Sequence, residues 1–97
     1  MTADLRKADF RFAGLRSANL SGASAEAADF QGCDLTDADV FAVDFTRARL
    51  EGAKMLCRRI EEATLCEATF DSFTVWPVGF DPVRAGAVLV LTAGEAP

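Results

Sequence analysis

Six aspartates stand at intervals that are multiples of five: Asp4, Asp9, Asp29, Asp34, Asp39 and Asp44. Carboxylates in number are the raw material of general acid–base catalysis, provided that two of them, or one and a nucleophile, converge on a single point. Three thiols, Cys33, Cys57 and Cys66, add candidates for nucleophilic or metal-binding chemistry. Arg58-Arg59 beside Glu61-Glu62 adds a dense run of opposite charges. The chain has no His and no Tyr, so the commonest general base and the commonest transition-metal ligand are missing. Which of the remaining groups can meet depends on the elements that hold them.

Those elements follow a period of five. In Ala3-Asp4-Leu5, Ala8-Asp9-Phe10 and Ala18-Asn19-Leu20 a small, a polar and a large apolar residue recur in the same order. Fourteen centres continue it: Leu5, Phe10, Leu15, Leu20, Ala25, Phe30, Leu35, Val40, Phe45, Leu50, Met55, Ile60, Leu65 and Phe70. Two residues before each centre, eleven of the fourteen positions are Ala. A helix repeats at about 3.6 residues and a strand at two, so neither carries a long period of five. A coil of short extended pieces and corners does. Four sides of five make a turn of twenty residues. Successive turns then stack by strand-like hydrogen bonds at about 4.8 Å. The large residues fill the axis, and the Ala positions stay small because corner backbone crowds them.

The motif A-[D/N]-[L/F]-x-x over residues 3–72 resembles the pentapeptide repeat family. The resemblance implies an all-β fold, a right-handed quadrilateral parallel β-helix of about three and a half coils with a short C-terminal capping segment. Residues 1–72 form the repeat body and 73–97 the cap and tail. The stretch 74–90 resembles a segment that often follows such repeats. The resemblance also brings a functional alternative. Some members are acidic rods that mimic duplex DNA and bind DNA gyrase or topoisomerase.

Stacking by twenty sorts the candidate chemistry into columns. Asp9 and Asp29 fall beneath Arg49, Asp34 beneath Lys54, and Asp39 beneath Arg59. The aspartates therefore read as turn-fixing, charge-compensated groups and not as a catalytic set. Cys33 takes an inward Ala slot, whereas Cys57 and Cys66 take outward slots on opposite sides. No two cysteines stand twenty apart, so three free thiols are expected, in a reducing compartment. No zinc site is expected. Arg58 falls on an inward slot, where a charge is costly. Either its side chain bends out along the corner or the third coil opens locally. Phe12, Phe41 and Leu56 fall on outward slots, and with Arg58 and Arg59 they are the candidate partner-binding residues.

The ends differ. The first coil exposes Leu5, Phe10, Leu15 and Leu20, with its backbone edge unpaired, and predicts a weak head-to-head homodimer or a protein partner there. At the other end Phe73 takes an Ala slot, stops the repeat and is consumed in capping. Asp81 to Gly86 reads as one helical turn. Residues 87–91 form a β-prone run that caps the last coil or adds as an edge strand, and 92–97 a loose tail.

The net charge is −5, unevenly spread. Residues 1–60 carry nine basic and nine acidic side chains, whereas 61–97 carry six acidic against Arg84 alone. A basic nucleic-acid footprint is absent, and no apolar run approaches a membrane span. The expectation is a cytoplasmic, non-catalytic protein-interaction or scaffold module. It needs no cofactor, its protein partner is unnamed, and it makes no direct contact with nucleic acid or membrane. A duplex mimic needs dense negative charge along its length, which the neutral body lacks.

Overall fold

The structure, a computed structural model, describes residues 3–90. Its frame is a ladder of isolated parallel bridges. Asp4 pairs with Ser24, Asp9 with Asp29, Gly14 with Asp34 and Asn19 with Asp39, and the same columns continue to Asp44, Arg49 and Lys54. Each of these pairs is twenty residues apart. The hydrogen bonds alternate in direction along a side: Leu5 N–H donates to the Ser24 carbonyl at 2.7 Å, and Ser24 N–H donates to the Ala3 carbonyl at 2.9 Å. The four sides of the first coil are residues 3–5, 8–10, 13–15 and 18–20, called sides one to four.

The corners explain the polar position. At the first, Ala8 N–H donates to the Leu5 carbonyl at 3.1 Å, closing a tight turn. Asp4 Oδ1 accepts the Arg6 N–H at 3.2 Å. The same side-chain bond recurs from Asp9, Asn19, Asp29, Asp34, Asp39 and Asp44 to the backbone two residues on. The aspartates are thus turn-fixing groups, because a short acceptor satisfies an amide that no neighbouring strand can reach. The last residue of the regular corners has positive φ, as at Lys7, Phe12, Ser17, Ala27, Asp37, Ala42 and Arg47. L-residues disfavour this conformation, so the stacking must hold it. Gly32 meets the requirement freely at φ 69°, and a Cβ there would lie 2.6 Å from the Phe12 ring.

The axis is apolar throughout. The ten centres from Ala25 to Phe70 are buried. Leu5, Phe10, Leu15 and Leu20 are half-buried, packed on the core from one side only. Phe10 stacks on Phe30 at 5.0 Å between ring centroids, and Phe30 meets Phe45 edge-on at 5.5 Å.

The strict count of five fails twice. Asp39 pairs with Arg58, nineteen residues on, and Lys54 pairs with Val75, twenty-one on. The first slip corrects the expectation for Arg58 and Cys57. Arg58 lies in the outward column above Asp39 and is exposed, while Cys57 is only 7% exposed in the inward slot. The reason is desolvation: a small thiol fits the crowded slot, and a guanidinium there would lose its water. The chain regains register through Arg59 in the left-handed region and a 3-10 turn, Ile60–Glu62, which returns Ile60 to the axis. The second slip corrects Phe73, which is 67% exposed and not consumed in the cap. Thr74 takes the inward slot, its hydroxyl donating to the Leu50 carbonyl at 2.8 Å.

Above Phe70 the tail closes part of the end. Trp76 packs edge-on against Phe70 and lies against Phe80, each at 5.4 Å. Asp81 Oδ1 accepts the Val83 and Arg84 N–H groups, so it caps the expected turn, which ends at Gly86 with φ 100°. Strand β2 (Val88–Leu89) then pairs parallel with β1 (Thr69–Phe70). The apolar run therefore adds as a strand on the last coil. Leu91 and the expected loose tail 92–97 lie outside the described residues.

Candidate functional site

Side four gathers most of the candidate partner-binding residues. Leu56 stands at its first corner, where its carbonyl accepts the Asp37 N–H at 3.0 Å. Arg58 lies on the side itself, opposite Asp39. Arg59 follows and bridges two groups: Nε donates to Asp39 Oδ1 at 3.1 Å, a second nitrogen pairs with Asp39 Oδ2, and the guanidinium carbon lies 4.7 Å from the Phe41 ring centroid. A cation over an aromatic face gains about 0.5–1 kcal/mol at exposed sites. Phe41 and Leu56 remain 39% and 41% exposed, so the side offers two apolar edges around a fixed guanidinium. Phe12 does not belong to this cluster. It is 81% exposed at the second corner and lies against Gly32.

The sequence pairing of Asp39 with Arg59 holds, but through the slip. Because Arg58 takes the place above Asp39 in the ladder, Arg59 is thrown into the corner and its side chain reaches back. Asp39 is thus the residue that positions the cluster. The sequence carries no signal for this, because the six-residue step from Arg58 to Thr64 shows only in the ladder, where the two pair with Asp39 and Asp44, five apart.

Electrostatics hold the corner carboxylates in their ionised form. The Arg6 side chain, then its backbone N–H, hold the Asp4 carboxyl down at about 2, against 3.8 ordinarily. Arg11 does the same for Asp9, also to about 2. Hydrogen bonds from Thr36, Arg59 and Thr46 lower Asp34, Asp39 and Asp44. A general acid at neutral pH needs the opposite shift. The same shifts set an acid limit. A carboxyl whose folded pKa lies below its unfolded value stabilises the fold above the unfolded pKa, and that contribution fades as pH falls towards the folded one. Thermal melts followed by circular dichroism should therefore be insensitive to these aspartates from pH 7 to 5 and should drop between pH 4 and 2. A melting temperature that holds through pH 2 would contradict the turn-fixing role.

The thiols are three separate groups. Burial pushes Cys33 and Cys57 up to about 12. Cys57 also donates to the Met55 carbonyl at 3.3 Å. Cys66 is exposed. Native alkylation should label Cys66 quickly and both Cys33 and Cys57 slowly, since the thiolate reacts and buried thiols rarely form it. Fast labelling of Cys57 would place it outward again. Among the described residues no group of three or more Cys, Asp and Glu side chains is placed to hold a metal ion. No described helix is long and apolar enough to cross a membrane.

The exposed apolar residues at the tail were not singled out in the sequence. Val78 and Val83 are exposed, and Val88 and Leu89 are 48% and 51% exposed. Pattern alone does not say which face of the run 87–91 is covered, because that depends on the strand it pairs with.

Known proteins fit this geometry. The family model for pentapeptide repeats matches eight copies over residues 3–40 and 28–56. A solved pentapeptide repeat protein from Nostoc Pcc 7120 is similar over 90% of this chain and 84% of its own, at 25% identity and a TM-score of 0.52. Among curated proteins, none matches the chain.

Proposed function

The chain belongs to the pentapeptide repeat family, and from that premise we propose that it is a non-catalytic protein-interaction module of the cytoplasm. On this reading the repeat body is a right-handed, four-sided coil, and the segment that follows it, described as far as residue 90, covers part of its end. Repeat solenoids present extended, regular faces suited to recognition without any special catalytic group. The observation that carries the reading here is side four. Arg59, its guanidinium already held by Asp39 and the Phe41 ring, shares side four with exposed Arg58 and with exposed Leu56 at the other corner. Pre-ordered arginine and aromatic side chains are the kind of anchors on which interfaces concentrate their energy. The end of the first coil, with Leu5, Phe10, Leu15 and Leu20 half-buried, is a second surface for association, including with another copy.

The test compares tagged wild-type protein with a Phe41→Ala/Leu56→Ala/Arg59→Ala variant, each expressed at native level and captured for mass spectrometry. A partner retained by the first and lost by the second supports side four. Identical captures would remove it. The DNA-mimic alternative separates by a supercoiling assay. The first three coils, residues 1–60, carry nine basic against nine acidic side chains and do not reproduce the charge of a duplex. Purified protein should leave gyrase supercoiling unaffected at micromolar concentration, and stoichiometric inhibition would promote that alternative.

A further inference from the structure

The two described ends of the coil are unlike in charge, and each carries a backbone edge with no partner among residues 3–90. The first coil, residues 3–22, carries Arg6, Lys7, Arg11 and Arg16 against Asp4 and Asp9. Residues 61–90 carry Glu61, Glu62, Glu67, Asp71 and Asp81 against Arg84 alone. Among the described residues, the first coil bonds only upward, to the second, and β2 pairs only with β1. Within residues 3–90 neither edge has a further partner, and an unpaired parallel edge is a template for a further strand.

The edges also share a register. Phe10, Phe30, Leu50 and Phe70 form one axis column, and Leu89 is the pairing partner of Phe70 in the strand above it. A first coil laid on β2 would bring Asp9 over Val88 and Phe10 over Leu89, continuing that column. Phe10 is half-buried and Leu89 half-exposed, so each has apolar surface left to lose. At the adjoining corner the last layer is Gly86, whose carbonyl accepts the Glu67 N–H at 3.0 Å. Glu67 is 63% exposed, with Arg47 3.8 Å away on the layer below, so its open side is left for a cation arriving from above. In the first coil that corner is Arg6-Lys7, and Lys7 begins the column that runs through Ala27 and Arg47 to Glu67.

We propose that copies of this chain associate head to tail, the first coil of one seating on β2 of the next, with Phe10 on Leu89 and Lys7 facing Glu67. This rests on the reading of the chain as an interaction module but uses its ends and not side four. A symmetric head-to-head pair would set two net-positive ends against each other, four cations less two aspartates on each, whereas head to tail sets the basic end against the acidic one. The contact is heterologous, so it does not close on itself and grows with concentration.

Sedimentation velocity of the 97-residue chain over a concentration series is the primary test. The expected result is a weight-average mass that passes through twice the monomer and keeps rising, with association weakened severalfold by about 0.5 M salt. A strict monomer at the highest concentration overturns the proposal. Two surface variants then fix polarity, each first shown by circular dichroism to keep the wild-type spectrum. Lys7→Glu/Arg16→Glu blocks the head, and Val88→Lys/Leu89→Lys blocks the tail. Each alone should be monomeric, and their equimolar mixture should give a dimer and nothing larger. Dimers from the tail-blocked variant alone would mean head to head, and dimers from the head-blocked variant alone would mean tail to tail. Either outcome overturns the proposal while leaving the side-four capture result untouched.

Discussion

Phe30→Ala should lower the unfolding free energy by about 3–5 kcal/mol, the usual range for truncating a fully buried phenylalanine. Phe30 has no exposed surface. Its ring stacks on Phe10 at 5.0 Å and takes the edge of Phe45 at 5.5 Å, so three aromatic groups lose contact at once. The axis offers little relief. Above and below the residue, backbone pairing fixes the coils, because Asp29 is bridged both to Asp9 and to Arg49. The space cannot close by collapse without breaking those bridges, which puts the expected cost in the upper part of the range. A solenoid also transmits a local loss poorly, since each coil contacts only its neighbours. Urea titration followed by tryptophan fluorescence reports the last coil, through Trp76, while far-ultraviolet dichroism reports all coils. Loss of the first two coils ahead of the last would separate the two signals. Phe12→Ala is the matched control. Its ring is 81% exposed, and its removal should change stability by about 0.5 kcal/mol or less. Equal effects at Phe12 and Phe30 would mean that the axis has been assigned to the wrong residues.

What the sequence made legible, and what it hid, has one physical cause. A residue repeated every five positions reports a slot, and slots are set by packing. The axis could be read because a large apolar residue recurs there at every fifth position, whereas Phe12, Phe41, Leu56 and Phe73 fall out of that phase and are exposed. The corner aspartates could be read because a short carboxylate next to a tight turn finds its own amide. Counting failed where the chain changes length by a residue. Position 58 by count is inward, but the slot selects for size and solvation, not for number. Cys57 is small and apolar, and Arg58 is neither. The same comparison at the next slip favours Thr74 over Phe73. Reading chemistry before count at those two sites would have recovered both. The pairing of β2 with β1 could not be read by period at all, because the tail has no repeat and its register depends on where the Asp81–Gly86 turn releases the chain.

The slip at Cys57 gives the second large effect. Cys57→Arg should destabilise by about 3 kcal/mol or more, as expected for a charge forced into a site without a partner. Cys57 is 7% exposed, belongs to the apolar core cluster, and its thiol donates to the Met55 carbonyl. An arginine there must either desolvate its guanidinium or push the 3-10 turn Ile60–Glu62 outward, which would withdraw Ile60 from the axis. Arg58→Ala should change stability by less than about 0.5 kcal/mol, because Arg58 is exposed in the outward column above Asp39. A strict count of five predicts the reverse order: Arg58→Ala would relieve a buried charge and stabilise, and Cys57→Arg would be a harmless surface change. Cys57→Ala belongs between them, since Ala fills the equivalent slot in most other repeats and only the thiol's volume and its bond to Met55 are lost. Arg59→Ala adds a readout that stability alone does not give. With the guanidinium gone, Phe41 loses its cation and Asp39 its strongest partner, so the Asp39 carboxyl should titrate nearer its ordinary value in a carbon-detected NMR experiment. An unmoved Asp39 would mean that the slip does not deliver Arg59 to the corner, and side four would lose the feature that makes it a recognition surface.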